Sequence, residues 1–144
     1  MAKTSDTISV ALSPEETFAA IADLSRFDDW LELHDGWRGE VPAELAKGAK
    51  ATSVVTAKGV RVRFDWKIEK FEAPHRILFS GNGKGGVKAK IDLTVEPEAD
   101  GSAVTFAIDL GGLPLIGPAG KAAAKAVHGD VHRSLVRFKQ VFAS

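Results

Sequence analysis

VRVRFDWKIE, residues 60–69, alternates strictly between apolar and charged side chains. Successive side chains of a β-strand point to opposite faces of a sheet, so this period of two predicts a strand with one buried and one solvated face. The buried face carries Val62, Phe64, Trp66 and Ile68. The segment therefore predicts an antiparallel sheet that is covered on one side only.

The same alternation recurs before and after this segment. Two later segments, residues 87–96 (VKAKIDLTVE) and 103–110 (AVTFAIDL), have an apolar residue at every second position. These apolar side chains therefore lie on one face of each strand. Weaker signals predict further strands at residues 4–12, from Trp37 through Val41, at 49–57 and at 76–80, with a turn at Lys58 and Gly59. The sequence thus predicts a sheet of about seven strands.

Helix signals lie near the two ends of the chain. Ser13 and Glu16 form a capping-box pattern around Pro14, which predicts a helix over residues 14–22, and a second short helix follows at 25–30. Pro118 opens a helix that is predicted to end at about Phe142. Its apolar positions recur every three or four residues: Ala124, Val127, Val131, Leu135, Phe138 and Phe142.

These elements predict an α+β fold within a single domain over residues 1–144. A curved antiparallel sheet of about seven strands wraps around the long C-terminal helix, and two short helices follow the first strand. One long helix leaves space in front of so large a sheet, so we expect an internal cavity lined by aromatic and branched side chains. Such a cavity is typical of small-molecule binding.

The composition excludes several classes of chemistry. The chain has no Cys, which excludes disulfides, thiolate nucleophiles and Cys-ligated metals. Nineteen Lys and Arg balance nineteen Asp and Glu, so no general nucleic-acid binding is expected. No apolar run is long enough for a membrane span and no signal peptide is visible, which favours a cytoplasmic protein.

The carboxylates of the predicted strands fall on the solvated face: Asp65, Glu69, Asp92, Glu96 and Asp109. Among inward positions only Asp6 and Ser53 are polar, and we expect both at strand ends or rims. With no inward pair of carboxylates, acid/base chemistry by a carboxylate dyad has no support. The interior favours binding over catalysis, and we expect no cofactor and no metal.

The four histidines differ in how well their positions support a functional role. His128 and His132 are four residues apart, but both lie off the apolar stripe of the helix, so we interpret them as surface residues, and His75 as an exposed turn residue. His34 follows the second short helix and is the best candidate for a polar ligand contact or a proton donor at the mouth of the cavity. The alternative is a cation near a helix C-terminus.

Three further features leave alternatives open. Gly81–Gly86 resembles a phosphate loop only in glycine content, and hairpin geometry explains it better. Trp30, Trp37 and Trp66 either clamp a ligand or fill the core. Leu113-Pro114-Leu115-Ile116 forms a pocket lid, a partner site or the packed entry to the last helix.

The order of elements, the Ser13–Glu16 opening of the first helix, the glycine-rich hairpin and the long closing helix resemble the START/Bet v 1-like (SRPBCC) superfamily of helix-grip domains. DLSRF at 23–27, GNGKGGVKAK at 81–90 and LGGLPLIGPAG at 110–120 are similar to an actinobacterial branch described as toxins of type II toxin–antitoxin pairs. The superfamily likeness implies a deep apolar cavity for lipid, sterol or polyketide-like molecules. The branch likeness implies an antitoxin partner.

Three functions follow as hypotheses: binding of a hydrophobic small molecule, a polyketide cyclase/aromatase-type reaction with His34 as its acid/base group, and the toxin of a toxin–antitoxin pair. The residues predicted to bind the ligand are Trp30, His34, Trp37, Phe64, Trp66, Phe106, Leu113, Ile116 and Val127.

Overall fold

A computed structural model of the chain describes residues 2–42, 45–57, 60–112, 115 and 117–143. These residues form seven strands: β1 (Ala2–Val10), β2 (His34–Arg38), β3 (Lys50–Ala57), β4 (Val60–Glu72), β5 (Arg76–Gly83), β6 (Val87–Glu98) and β7 (Gly101–Gly112). They make one antiparallel sheet in the order β1-β7-β6-β5-β4-β3-β2. The predicted seven-stranded sheet is confirmed, while the predicted turn at Lys58 and Gly59 lies outside the described residues.

The helices lie where the capping signals placed them: α1 (Pro14–Ile21), a 3-10 turn (Leu24–Arg26), α2 (Phe27–Trp30) and α3 (Pro118–Phe142). The Ser13 hydroxyl oxygen accepts a hydrogen bond from the Glu16 backbone N–H at 3.1 Å, so the predicted cap is present. None of the described helices combines the length and the apolar character that crossing a membrane requires.

The two faces of β4 differ as the alternation predicts. Phe64, Trp66 and Ile68 are buried, whereas the intervening Asp65 and Lys67 are exposed. β6 and β7 pair in the same phase, with Leu93 opposite Phe106 and Val95 opposite Val104. The matching parity of neighbouring strands therefore gives the sheet a continuous apolar inner face.

α3 covers this inner face with its apolar stripe. Ala124, Val127, Val131, Leu135 and Phe138 are buried, and the helix packs on β1 and β7 of the sheet and on α2. Burying each large apolar side chain of this kind stabilises the fold by about 1.5–3 kcal/mol. The stripe predicted from the sequence is thus the surface that holds α3 on the sheet.

The predicted position of the second strand was wrong. Alternation placed it from Trp37 through Val41, but β2 covers His34–Arg38, with His34 paired to Val55 and Trp37 to Ser53. Gly39 has a φ of 73°, which takes the backbone out of the extended conformation and ends the strand. The apolar residue at 41 lies beyond this break.

The hairpin predicted at Gly81–Gly86 is present between β5 and β6, but its turn is shorter than predicted. β5 runs on through Gly83, so the turn lies at Lys84–Gly86, where Gly85 and Gly86 have positive φ. Gly81 and Gly83 lie within the strand, opposite Trp66 and Phe64 of β4. A Cβ atom at Gly81 would lie 2.5 Å from the Trp66 ring, so this glycine is needed for close packing of the ring.

Candidate functional site

A cavity of about 360 Å³ lies between the inner face of the sheet and α3. Its walls come from α2, β2 and the inward rows of β3–β7, and its roof comes from the first half of α3. The lining residues are Phe27, Trp30, Leu31, Leu33, His34, Trp37, Ser53, Val55, Val62, Phe64, Trp66, Phe79, Val87, Ala89, Ile91, Leu93, Phe106, Ile108, Leu110, Leu115, Ala123, Ala126 and Val127.

Small side chains on α3 leave this space open. The helix presents Ala123, Ala126 and Val127 to the cavity, whereas its second half buries the larger Leu135 and Phe138. Interiors are normally packed as tightly as organic crystals, so a void of this size needs a local deficit of side-chain volume. The small side chains of Ala123 and Ala126 therefore contribute to the space beneath α3.

One wall is a stacked aromatic pair. The ring centroids of Phe64 and Trp66 lie 5.1 Å apart, with an angle of 15° between the ring planes. On the neighbouring strands, Ser53 pairs with Phe64 and Gly81 pairs with Trp66. The Trp66 Nε1–H donates a hydrogen bond to the buried Ser53 hydroxyl at 2.9 Å. This bond and the close glycine hold the pair in one orientation.

A second aromatic group in the cavity wall surrounds Phe27. Its ring contacts those of Trp30, His34 and Trp37 at centroid distances of 5.6, 5.9 and 5.6 Å. The Trp37 Nε1–H donates to the Leu24 carbonyl oxygen at 2.8 Å, which ties β2 to the 3-10 turn. Phe27 was missing from the predicted set, although its place on one side of the short helix with Trp30 was the available signal.

Trp30 differs from the other two tryptophans. Its side chain is completely buried, and its ring packs edge-on against Phe138 of α3 at 5.2 Å. Its Nε1–H has no hydrogen-bond partner among the described residues. The cavity is thus lined by three indoles, of which two have a satisfied N–H and one does not.

His34 is the titratable side chain among the described lining residues. The side chain is only 2% exposed, and its Nε2 lies 3.5 Å from the Asp28 Oδ1 without forming a hydrogen bond. Burial lowers the pKa of His34, and the nearby carboxylates of Asp28 and Asp35 oppose this effect only in part. The imidazole is therefore neutral near pH 7, which argues against the alternative of a cation at a helix end.

The structure brings together seven of the nine residues predicted to bind a ligand: Trp30, His34, Trp37, Phe64, Trp66, Phe106 and Val127 all line the cavity. The remaining two, Leu113 and Ile116, lie outside the described residues. Leu115, which lies between them in the chain, lines the cavity. Whether this segment acts as a lid stays a prediction, as does ligand binding by the whole set.

No described lining residue carries a carboxylate, an ammonium or a guanidinium group. The strand carboxylates interact elsewhere: Asp65 accepts from the Thr52 hydroxyl, and Asp92 pairs with Arg76 at 2.6 Å. The described part of the chain also holds no group of three metal-ligating side chains. What this interior offers chemically is apolar surface, aromatic faces and a few neutral polar atoms.

His128 and His132 are exposed, in agreement with their interpretation as surface residues, but both contact β1. The His128 Nδ1 lies 2.6 Å from the Thr4 hydroxyl, and the His132 Nδ1 lies 2.6 Å from an Asp6 carboxylate oxygen. Asp6 was expected at a strand end or a rim, and it lies in the middle of β1, which is the edge strand of the sheet. The two histidines therefore join α3 to the edge strand of the sheet.

Comparisons with known proteins agree with this architecture. Residues 1–143 match the family described as polyketide cyclase/dehydrase and lipid transport. A protein of Mycobacterium tuberculosis H37Rv that is named as a toxin is 41% identical over 143 residues, or 99% of each chain. Another protein of the same strain, named as uncharacterized, is 42% identical over 133 residues, 92% of this chain and 93% of its own. The solved structure of a START superfamily protein from Mycobacterium smegmatis is 18% identical and superposes with a TM-score of 0.77, covering 98% of this chain and 99% of that one.

Proposed function

The chain belongs to the polyketide cyclase/dehydrase and lipid transport family, and we propose that it binds a hydrophobic small molecule, lipid or polyketide-like, in the cavity beneath α3. The observation that carries this proposal is a space of about 360 Å³ whose described lining has no charged side chain. Small-molecule binding sites of proteins are typically apolar pockets of about 300–1,000 Å³ with a few polar groups.

The hydrophobic effect supplies the driving force. Transfer of apolar surface from water to such a site contributes about 25 cal/mol per Å² of buried area. The walls are held in place before a ligand arrives, since Trp66 is bonded to Ser53 and Trp37 to the Leu24 carbonyl. A preformed site reduces the entropic cost of binding.

The test compares a filled cavity with an intact one. Organic extraction and mass spectrometry identify any co-purified molecule, and a panel of fatty acids and aromatic polyketides is titrated against three proteins. Ala126→Phe places a ring in the cavity and is expected to weaken binding at least tenfold, whereas Ala122→Phe on the exposed side of α3 leaves binding unchanged. Equal binding by all three proteins, or no binding to the wild type, would contradict the proposal.

A second candidate function is that of a toxin in a type II toxin–antitoxin pair, supported by the relative named as a toxin. Expression without the neighbouring gene is then expected to stop growth, and co-expression with an adjacent antitoxin gene is expected to restore it. Growth that is unaffected in both cases would remove this candidate. An antitoxin partner and a cytoplasmic location stay predictions.

A third candidate, a cyclase/aromatase-type reaction, is supported by one group: the buried, neutral imidazole of His34. A neutral imidazole accepts a proton from an acidic carbon or hydroxyl of a bound substrate. His34→Ala is expected to abolish turnover of a true substrate, while His75→Ala, the same change at an exposed turn position, retains it. Equal turnover by the wild type and His34→Ala would remove the assignment.

A further inference from the structure

We propose that a cleft between β1 and the first turns of α3 binds a soluble small molecule that carries a phosphate or diphosphate group. The cleft has a volume of about 620 Å³, and its polar lining residues are Lys3 and Thr4 of β1 and Lys121, Lys125 and His128 of α3. Its described lining shares no residue with that of the cavity beneath α3. The inference therefore goes beyond the proposed function and does not depend on it.

The contact line between α3 and β1 shows which polar side chains are matched. The His128 Nδ1 lies 2.6 Å from the Thr4 hydroxyl, and the His132 Nδ1 lies 2.6 Å from an Asp6 carboxylate oxygen. The two histidines are four residues apart, so they lie on one flank of the helix. On this part of the flank each polar group of α3 has a polar partner on β1.

The same flank continues towards the start of α3 with two lysines that have no such partner. Lys125 and Lys121 precede His128 by three and seven residues, a spacing that keeps all three side chains on one side of a helix. β1 contributes the apolar Ala2 to this part of the cleft, and neither lysine forms an ion pair among the described residues. Two like charges four residues apart destabilise a helix, and an anion bound between them relieves this repulsion.

Neither α3 nor β1 has a free carboxylate to balance these lysines. Asp130 is the only acidic residue in the sequence of α3, and it pairs with Arg133. Asp6 is the only acidic residue of β1, and it contacts His132. Residues 111–120, which lead from β7 into α3, include no charged side chain. The positive charge of the cleft is therefore available to an anion from outside the chain.

A third ammonium group comes from the edge strand. Lys3 is exposed and lies opposite Asp109 in the pairing of β1 with β7, but the two side chains form no ion pair among the described residues. Lys3, Lys121 and Lys125 thus give the cleft three positive charges. A phosphate ester, with a charge of about −1.5 to −2 at neutral pH, matches this cluster better than a single carboxylate does.

The side-chain types also favour phosphate. An ammonium group is a compact charge with three donors, which suits oxygens that point in several directions, whereas a planar carboxylate is matched best by the fork of an arginine. The described lining of the cleft includes no arginine. When the Thr4 hydroxyl donates to the Nδ1 of His128, the Nε2 of that ring carries a hydrogen and is a further donor for the anion.

Isothermal titration calorimetry with inorganic diphosphate at low salt tests the inference. Lys121→Gln and Lys125→Gln each remove one charge and are expected to weaken binding about three- to tenfold, the contribution of one charge-assisted hydrogen bond at an exposed site. Lys125→Arg keeps the charge and is expected to retain binding. Lys139→Gln is the matched control, because it removes the same charge from an exposed position near the other end of α3 and leaves the affinity unchanged.

Equal weakening by Lys125→Gln and Lys139→Gln would overturn the inference, because binding would then reflect the overall charge and not the cleft. Succinate, a dicarboxylate, bound as tightly as diphosphate would overturn the preference for phosphate. Vesicles of phosphatidylcholine with and without phosphatidic acid distinguish a soluble phosphate from a lipid headgroup. Binding to the vesicles with phosphatidic acid, without binding of diphosphate, would overturn the assignment to a soluble ligand.

A measurement on the unmodified protein locates the bound anion. Nitrogen–proton NMR spectra of the labelled wild type report the ring signals of the four histidines. Addition of diphosphate is expected to shift the signals of His128 and to leave those of His75, an exposed turn residue, unchanged. Equal shifts at both residues, or none at His128, would overturn the inference and would leave the proposed function of the cavity unaffected.

Discussion

The two halves of α3 belong to one continuous amphipathic helix, yet only the second half fills the space in front of it. The first half presents Ala123, Ala126 and Val127 to the cavity. The second half presents Val131, Leu135 and Phe138, each of which is at most 1% exposed. Trp30 marks the boundary, since it lines the cavity and also packs against Phe138. The comparison teaches that small residues at 123 and 126 accompany the cavity, while large residues at 135 and 138 accompany the packed core beside it.

Removal of a large buried side chain from the second half of α3 is expected to have the largest effect on the free energy of unfolding. Phe138→Ala removes a fully buried ring that contacts Trp30, so the free energy of unfolding falls by about 3–5 kcal/mol. Urea unfolding followed by circular dichroism measures this loss. Val141→Ala, at an exposed position of the same helix, is the control and changes stability by less than about 0.5 kcal/mol. A loss below about 1 kcal/mol in Phe138→Ala would show that the second half is not tightly packed.

One substitution made in both halves sharpens the comparison. Val131→Phe inserts a ring where no space exists and is expected to lower the free energy of unfolding by about 1–3 kcal/mol. Val127→Phe, one turn earlier, places the same ring in the cavity and costs less than about 1 kcal/mol. Parallel urea titrations compare the two variants. Equal losses would mean that the cavity does not accept extra volume.

A smaller effect is expected where the packed half is tied to the segment after α2. The Ser134 hydroxyl accepts from the Glu32 N–H at 2.9 Å and donates to the Asp130 carbonyl at 2.7 Å. Ser134→Ala leaves a partly buried N–H without its partner, which lowers the free energy of unfolding by about 1–2 kcal/mol. Ser9→Ala on the exposed face of β1 is the control. If both variants unfold at the same urea concentration, this link contributes nothing.

The smallest expected effect lies at the edge strand. The hydrogen bond from His132 lowers the pKa of Asp6 below its ordinary value of about 3.9. A lowered carboxylate pKa stabilises the fold above that value and loses this contribution as the pH falls through the pKa of the folded state. Asp6→Asn is therefore expected to be less stable than the wild type by less than about 1 kcal/mol at about pH 6.

The same pair of proteins then provides the pH test. The difference in unfolding free energy between the wild type and Asp6→Asn is expected to shrink as the pH falls below about 3.9 and through the lowered pKa of Asp6 in the folded state. Thermal unfolding in a series of buffers measures it. A difference that stays constant across this range would assign the effect to packing and not to the charge of Asp6.

Much of the fold follows from local signals in the sequence. Alternation fixes which side of each strand is buried, and Pro14 and Pro118 mark the first residues of α1 and α3. Strand parity also placed three of the predicted ligand contacts, Phe64, Trp66 and Phe106, on the inner face that lines the cavity. These features depend on one element at a time.

The features that sequence reasoning missed depend on two elements at once. Gly81 was assigned to a turn because its role, the close approach of the Trp66 ring, appears only when β4 and β5 are paired. Ala126 did not stand out, since a small residue matters only relative to the width of the space that it faces. The unpartnered N–H of Trp30 is likewise a property of the packed structure and has no signature in the chain.

The placement of β1 has a consequence for synthesis and folding. β1 lies at the edge of the sheet and pairs only with β7, from Ala2 opposite Leu110 to Val10 opposite Ser102. At a translation rate of about 5–20 residues per second, the first strand waits roughly 5–20 seconds for its partner to be made. α3, which packs on β1, is made later still. Folding is therefore expected to finish only after translation, on the millisecond-to-second timescale of chains dominated by distant contacts.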